Sequence, residues 1–194
     1  NEQDNIPLIL KRFSEVIKRS DIEIILVNNG STDNSADVIQ RLLPQYPFIQ
    51  LVDIETNLGY GHGIKTGLSN ANGEYLGWTH ADMQTDPYDV IKAIEIIEKS
   101  NAPKNIYVKG ERHGRPLFDK FFTSGMSLFE SIYLNEKMYD INAQPNIFHK
   151  SFLKGLHEIP NDFSLDLFFY YMARKRKLNI IRFPVIFPER IHGE

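Results

Sequence analysis

His80, Asp82 and Gln84 stand two apart in the polar segment His80-Ala81-Asp82-Met83-Gln84-Thr85-Asp86, directly after the apolar run 75–79. If that segment is extended, alternate side chains point to one face. Imidazole, carboxylate and carboxamide oxygen then form a ligand set for a hard or borderline divalent cation. Magnesium is usually held by one or two carboxylates together with substrate phosphates, so a trio of this kind leaves positions open for a diphosphate. The structural alternative is a polar loop in which Asp82 caps a helix beginning near Pro87.

Two further loops are rich in polar and glycine residues. In 28–33 (Asn28-Asn29-Gly30-Ser31-Thr32-Asp33), Asn and Gly tolerate tight turns while Ser, Thr and Asp suit a helix N-cap. The second loop, 57–63, has Gly59, Gly61 and Gly63, but Thr66 stands where a dinucleotide fingerprint needs its third glycine. No Walker A pattern is present, so hydride transfer and P-loop hydrolysis have no motif behind them. Asn29-Gly30-Ser31 also matches a glycosylation sequon, a pattern short enough to arise by chance.

The elements that must carry these loops follow from periodicity. Short apolar runs at 23–27, 48–54, 75–79 and 106–109 read as strands, and the segments 7–18, 35–43, 63–71 and 87–99 read as helices. Such alternation implies a parallel sheet covered by helices, and in an open α/β sheet ligands gather beyond the carboxyl ends of the strands. All three loops occupy such ends. Beyond residue 112 the alternation decays into a mostly helical stretch at 116–134, a helix at 162–177 and a last strand at 179–183. With neither repeat nor linker, residues 1–194 read as one domain, with a nucleotide half at 1–112 and an acceptor half at 113–194.

Composition excludes several classes. Cysteine is absent, which removes disulfides, zinc–thiolate sites and a cysteine nucleophile and is compatible with a cytoplasmic setting. A hydrophobic content of 42% and a net charge of −3 do not fit a disordered chain. Lys+Arg at 22 against Asp+Glu at 25 leaves no basic field for nucleic acid. No apolar run approaches the roughly 20 residues of a membrane span. The basic run 174–177 reads first as a solvated helix end and second as a patch for an anionic membrane surface. His62, His113, His149 and His157 show no spacing for a second metal site, and Trp78 reads as core.

The ordered segments Asn28-Asn29-Gly30-Ser31-Thr32-Asp33, Asn57-Leu58-Gly59-Tyr60-Gly61, Gly73-Glu74-Tyr75 and Ala81-Asp82-Met83-Gln84 resemble the family 2 glycosyltransferases. Within them the likeness is to the polyprenyl-phosphate mannosyl- or glucosyltransferase branch, whose pattern reads "VDDGSTD", "NLGYG", "GEYV" and "DADxQ". Lys109-Gly110-Glu111-Arg112 is similar to the family's "GSR", and the ending Pro188-Glu189-Arg190-Ile191-His192-Gly193-Glu194 to its "DRxxGES". Only Asn1-Glu2 remains of the family's opening "PxYNE", so the first strand is expected to be missing.

The resemblance implies a GT-A fold, an α/β architecture with a Rossmann-like, mostly parallel sheet and flanking helices. It implies inverting transfer from a nucleotide-diphosphate sugar, assisted by Mg2+ or Mn2+, to a polyprenyl phosphate or glycan acceptor. That work belongs to cell-envelope polysaccharide synthesis, with peripheral association at the cytoplasmic face of a membrane. By position, Asn29, Gly30, Ser31, Asn57, Gly61, Lys65 and Ala81 fall where the nucleotide sugar is held. Asp82 and Gln84 fall where metal ligands lie, and His80 replaces the first Asp of the DxD motif. The loss of acidic residues at 28, 29 and 80 bears on base preference and metal affinity. Arg112 and Arg190 suit a lipid phosphate, whose oxygen needs no base, whereas a hydroxyl acceptor needs Asp166 to take its proton. Surface ion pairs for the arginines and a helix-dipole role for Asp166 are the plainer readings. A relative that binds nucleotide sugar without turnover and, more distantly, a nucleotidyltransferase are the rival functions.

Overall fold

The computed structural model describes residues 1–113, 131 and 133–188. Helix α1 (Ile6–Val16) forms because Ile6, Ile9, Leu10 and Phe13 recur at three- and four-residue spacing, and all four are buried. They pack with Leu26 of β1 (Ile24–Asn29), Ile39 of α2 (Ser35–Leu42) and Ile49 of β2 (Ile49–Ile54). Strands β1 and β2 pair in parallel from Ile24↔Ile49 to Asn29↔Ile54.

Helix α3 (Tyr60–Asn70) packs on β1, on β2 and on β3 (Tyr75–Trp78). It therefore spans two sheets that share no hydrogen bonds: the pair β1–β2 and a four-stranded sheet containing β3. The remaining members are helix α4 (Tyr88–Glu98), β4 (Ile106–His113), β5 (Asn146–His149), helix α5 (Leu165–Lys175) and β6 (Asn179–Ile186).

The second sheet departs from the expected mostly parallel arrangement. Its order is β3–β5–β4–β6, and β5 runs antiparallel to both neighbours while β4 and β6 are parallel. The four-residue β5, with Asn146 first and His149 last, has too little apolar alternation to announce itself as a strand. The expected strands at 106–109 and 179–183 are also longer than read, extending to His113 and Ile186. The helical stretch expected at 116–134 lies mostly outside the described residues.

Strand parity decides what this sheet buries. Ile106, Val108 and Ile147 face one way and pack with Ala93 and Ile97 of α4. Tyr107 and Phe148 face the other way and pack with Leu68 of α3 and Leu165, Phe169 and Ala173 of α5. Lys109 and Asn146 are cross-strand partners of that same parity, so two polar side chains enter the α5-facing layer. Both are fully buried. No helix among the described residues is long and apolar enough to cross a membrane.

Candidate active site

The first two loops meet at the carboxyl ends of β1 and β2. Asn29 Nδ2 donates to Gly59 O at 3.0 Å and to Asn57 Oδ1 at 3.3 Å, and Asn28 Nδ2 donates to Asp53 Oδ1 at 2.7 Å. Gly30 has φ of 62°, and a Cβ there would sit 2.4 Å from Asn57 N, so the close approach of the loops requires glycine. The turn reading of this segment holds, since Asp33 Oδ1 accepts the Ser35 N–H at 3.0 Å, but the N-cap of α2 is Asn34, whose side chain makes no capping bond. Asn29 Oδ1 is buried and has no donor among the described residues.

The glycine loop turns into α3 through Gly59, at φ of 113°. A Cβ on Gly61 would collide with Pro160 O at 2.6 Å, because the 160–162 backbone lies against it. Lys65, expected near the nucleotide sugar, donates to Ile159 O at 2.8 Å and ties that segment to α3.

The third loop is not extended. Met83 takes a positive φ of 63°, and Asp82 Oδ1 accepts the Gln84 N–H at 3.0 Å, so the alternation that would align three ligands is interrupted. Asp82 is buried, while His80, Ala81 and Gln84 are partly exposed. Gln84 Nε2 reaches Pro188 O at 3.4 Å. Asp86 rather than Asp82 serves the following helix, accepting the Tyr88 N–H at 2.9 Å. No group of three His, Cys, Asp or Glu able to hold a metal occurs among the described residues. The loop thus supplies one buried carboxylate with an imidazole and an amide nearby in sequence. That donor set fits a cation shared with substrate phosphates and not one enclosed by protein.

Tyr60, in the second loop, links it to the third. Its ring lies 6.4 Å from that of His80 and stacks on the exposed Phe163 at 4.9 Å. Its hydroxyl donates to Asp166 Oδ2 at 2.8 Å and accepts from Gln144 Nε2 at 2.7 Å. Burial and the adjacent Asp166 charge push the Tyr60 phenol far up, so it remains a donor. Asp166, in the first turn of α5, is 3% exposed. Its Oδ1 also accepts Trp78 Nε1 and Asn146 Nδ2, each at 3.2 Å. Trp78, expected as core, does pack edge-on against Phe148 and Phe169, and in addition it donates to this carboxylate.

Local sequence pattern does not mark Tyr60, Gln144 and Asn146 as members of this cluster. The position of Tyr60 inside "NLGYG" was the one available signal. Gln144 and Asn146 sit in a segment without periodicity.

Arg112 is placed elsewhere. Its Nε donates to Asp140 Oδ1 at 2.7 Å, a terminal nitrogen lies 2.6 Å from the same oxygen, and its backbone N–H donates to Oδ2 at 2.7 Å. Arg182 closes the cluster, lying 3.6 Å from Asp140 Oδ2 with its guanidinium 3.9 Å over the Tyr139 ring. A phosphate at Arg112 would therefore compete with a buried carboxylate. Arg190 lies outside the described residues.

Solved structures share this architecture. The mannosyltransferase of Pyrobaculum calidifontis, determined with GDP-Man and Mn2+, matches with a TM-score of 0.73 at 21% identity, over 100% of this chain and 55% of its own. Glucosyl-3-phosphoglycerate synthase of Mycobacterium tuberculosis, determined with Mn2+, UDP-glucose and phosphoglyceric acid, gives 0.76 at 15% identity, over 100% and 69%. The fold is that of GT-A glycosyltransferases.

Among curated relatives, an uncharacterized glycosyltransferase of Nostoc is 37% identical over 82 residues, 42% of this chain and 26% of its own length. The undecaprenyl-phosphate 4-deoxy-4-formamido-L-arabinose transferase of Serratia proteamaculans is 31% identical over 103 residues, 51% of this chain. The chain spans 31% of that relative. Because the family model for glycosyl transferase family 2 matches residues 1–156 and takes in all three loops, the chain belongs to that family.

Proposed function

We propose that the chain is the catalytic core of an inverting glycosyltransferase that moves a sugar from a nucleotide-diphosphate donor to an acceptor beside Asp166. The observation that carries this reading is that Tyr60 faces the third loop and the start of α5 at once: its ring is 6.4 Å from that of His80 and its hydroxyl 2.8 Å from Asp166. On this reading Asn29, Gly30, Ser31, Asn57, Gly61 and Ala81 border the donor, and Asn29 Oδ1 offers a buried acceptor for a base N–H. Asp82, with Gln84 and His80, would hold Mg2+ or Mn2+, which would supply electrostatic stabilisation of the negative charge developing on the leaving diphosphate.

Asp166 meets the acceptor hydroxyl and takes its proton as the oxygen attacks the anomeric carbon and the bond from that carbon to the nucleoside diphosphate breaks, the diphosphate leaving from the opposite face. Tyr60, Trp78 and Asn146 fix the rotation of the carboxylate, so that transfer does not wait on reorientation. The name of the Serratia relative favours a second acceptor, a polyprenyl phosphate, which requires no base and implies work at the cytoplasmic face of a membrane in building the cell envelope.

Titration calorimetry with UDP, GDP, ADP, CDP and dTDP, each with and without Mn2+, tests the reading. At least one nucleotide is expected to bind, more tightly with Mn2+, and Asp82→Ala should remove only the metal-dependent increment. Binding of no nucleotide would overturn the proposal. Binding without turnover of the matching nucleotide sugars would instead favour a non-catalytic member of the fold.

A further inference from the structure

Lys109 has no exposed surface, and among the described residues its ammonium forms no direct ion pair. Its Nζ donates to Ala143 O at 2.6 Å and to Asn146 Oδ1 at 2.9 Å, and lies 5.8 Å from the centre of the Tyr170 ring. A cation buried among a carbonyl, an amide and a ring is costly to keep. Met would fill much of the same space without that cost.

The neighbouring amide explains what the charge does. Asn146 Oδ1 receives Lys109 Nζ and, at 3.1 Å, the Tyr107 hydroxyl. A flipped amide would set its NH2 group against an ammonium, which cannot accept a hydrogen bond, so the orientation is determined by the lysine. With the oxygen so held, Nδ2 is directed at Ala143 O and Asp166 Oδ1, both at 3.2 Å.

We propose that Lys109 is a positioning residue: it locks the Asn146 amide, and the amide fixes the carboxylate of Asp166 in the rotation at which Tyr60 also holds it. The inference rests on the reading of Asp166 as the group that meets an acceptor hydroxyl.

The charge is adjustable in the working pH range. Burial pulls the ammonium down to about 7, against the attraction of Asp166 on α5 and of Asp140, and with the repulsion of Arg182 on β6 and Arg112 on β4. Below that pH the ammonium has three donors and a charge facing Asp166; above it the amine keeps fewer donors and no charge.

The test is release of nucleoside diphosphate from the nucleotide sugar selected by the calorimetric panel, with Mn2+ present and water as the hydroxyl acceptor. Lys109→Met should lower kcat about 10-fold while leaving the donor KM near that of the wild type, in line with other residues that act through a neighbour. It should also remove a decline in kcat that the wild type shows as pH rises through the Lys109 titration. In the Asp166→Asn background the same change should have no further effect.

Wild-type kcat in Lys109→Met, or an equal loss in both backgrounds, overturns the proposal. If Lys109→Met does not fold, Tyr107→Phe carries the test: it removes only the second donor to Asn146 Oδ1. A smaller fall in kcat that vanishes beside Asp166→Asn supports the proposal, and an unchanged kcat overturns it. A wild type that turns over no donor fails at the proposed function itself, a result distinct from an active wild type with an indifferent Lys109.

Discussion

Asp140 and Asp166 are both buried carboxylates beyond β4, yet they are neutralised in different ways. Asp140 has Arg112 against one side and Arg182 close by, so its charge is matched in direct contact. Among the described residues Asp166 accepts only from neutral groups: a phenol, an indole and an amide. Lys109, whose charge Asp166 attracts, acts on it from beyond Asn146. Matched charges hold a fold together but have little left to offer a substrate. A carboxylate held by neutral donors keeps its charge for chemistry, and preorganised dipoles of this kind are how sites stabilise charge without pairing it.

The sharpest way to break this contrast is Asp166→Asn. Turnover is expected to fall by about 100-fold or more, with nucleotide binding by calorimetry unchanged, as for loss of a general base. Normal turnover in that variant would erase the distinction between the two carboxylates.

Arg112→Ala probes the other side. It removes the closer of the two described cations at buried Asp140 and should cost about 3 kcal/mol in denaturant unfolding. If stability holds and the acceptor KM rises instead, Arg112 serves a phosphate and the Asp140 cluster belongs to the site after all.

The exposed pair Arg12–Asp86 supplies the baseline, joining α1 to the end of the 80–86 loop at 2.8 Å. Burial raises the Asp86 carboxyl, but the hydrogen bonds from Arg12 and the Tyr88 N–H lower it more, for a net downward shift. A carboxylate depressed on folding contributes stability above its unfolded value near 4 and loses it as pH falls through the folded value. Arg12→Ala should therefore cost less than about 1 kcal/mol at neutral pH and still less in acid, measured by thermal unfolding at both pH values.

The contrast also explains which parts were legible in advance. The first two loops are local: Asn28, Asn29 and Asn57 lie next to strand ends that apolar runs announce, and glycines mark the turns. Their meeting is a consequence of adjacent parallel strands, so periodicity was enough to foresee it. The premise of an extended 80–86 segment failed because a side chain–backbone hydrogen bond within the loop competes with extension, as Asp commonly does. Asp166 was named through family resemblance, but nothing around it announced a partner. Tyr60, Trp78 and Asn146 lie 106, 88 and 20 residues away along the chain.

From the sequence alone came the α/β class, the three strand-end loops, the absence of thiol chemistry and the family. These depend on short-range spacing and composition, which folding does not alter. Only the tertiary structure decided that β5 enters the sheet antiparallel, that Lys109 and Asn146 share the layer under α5, and that Arg112 is spent on Asp140 while Asp166 is held by neutral donors. Each depends on which strand face meets which helix. Strand parity makes that an all-or-none matter, because a shift of one residue would send Lys109 to the opposite face.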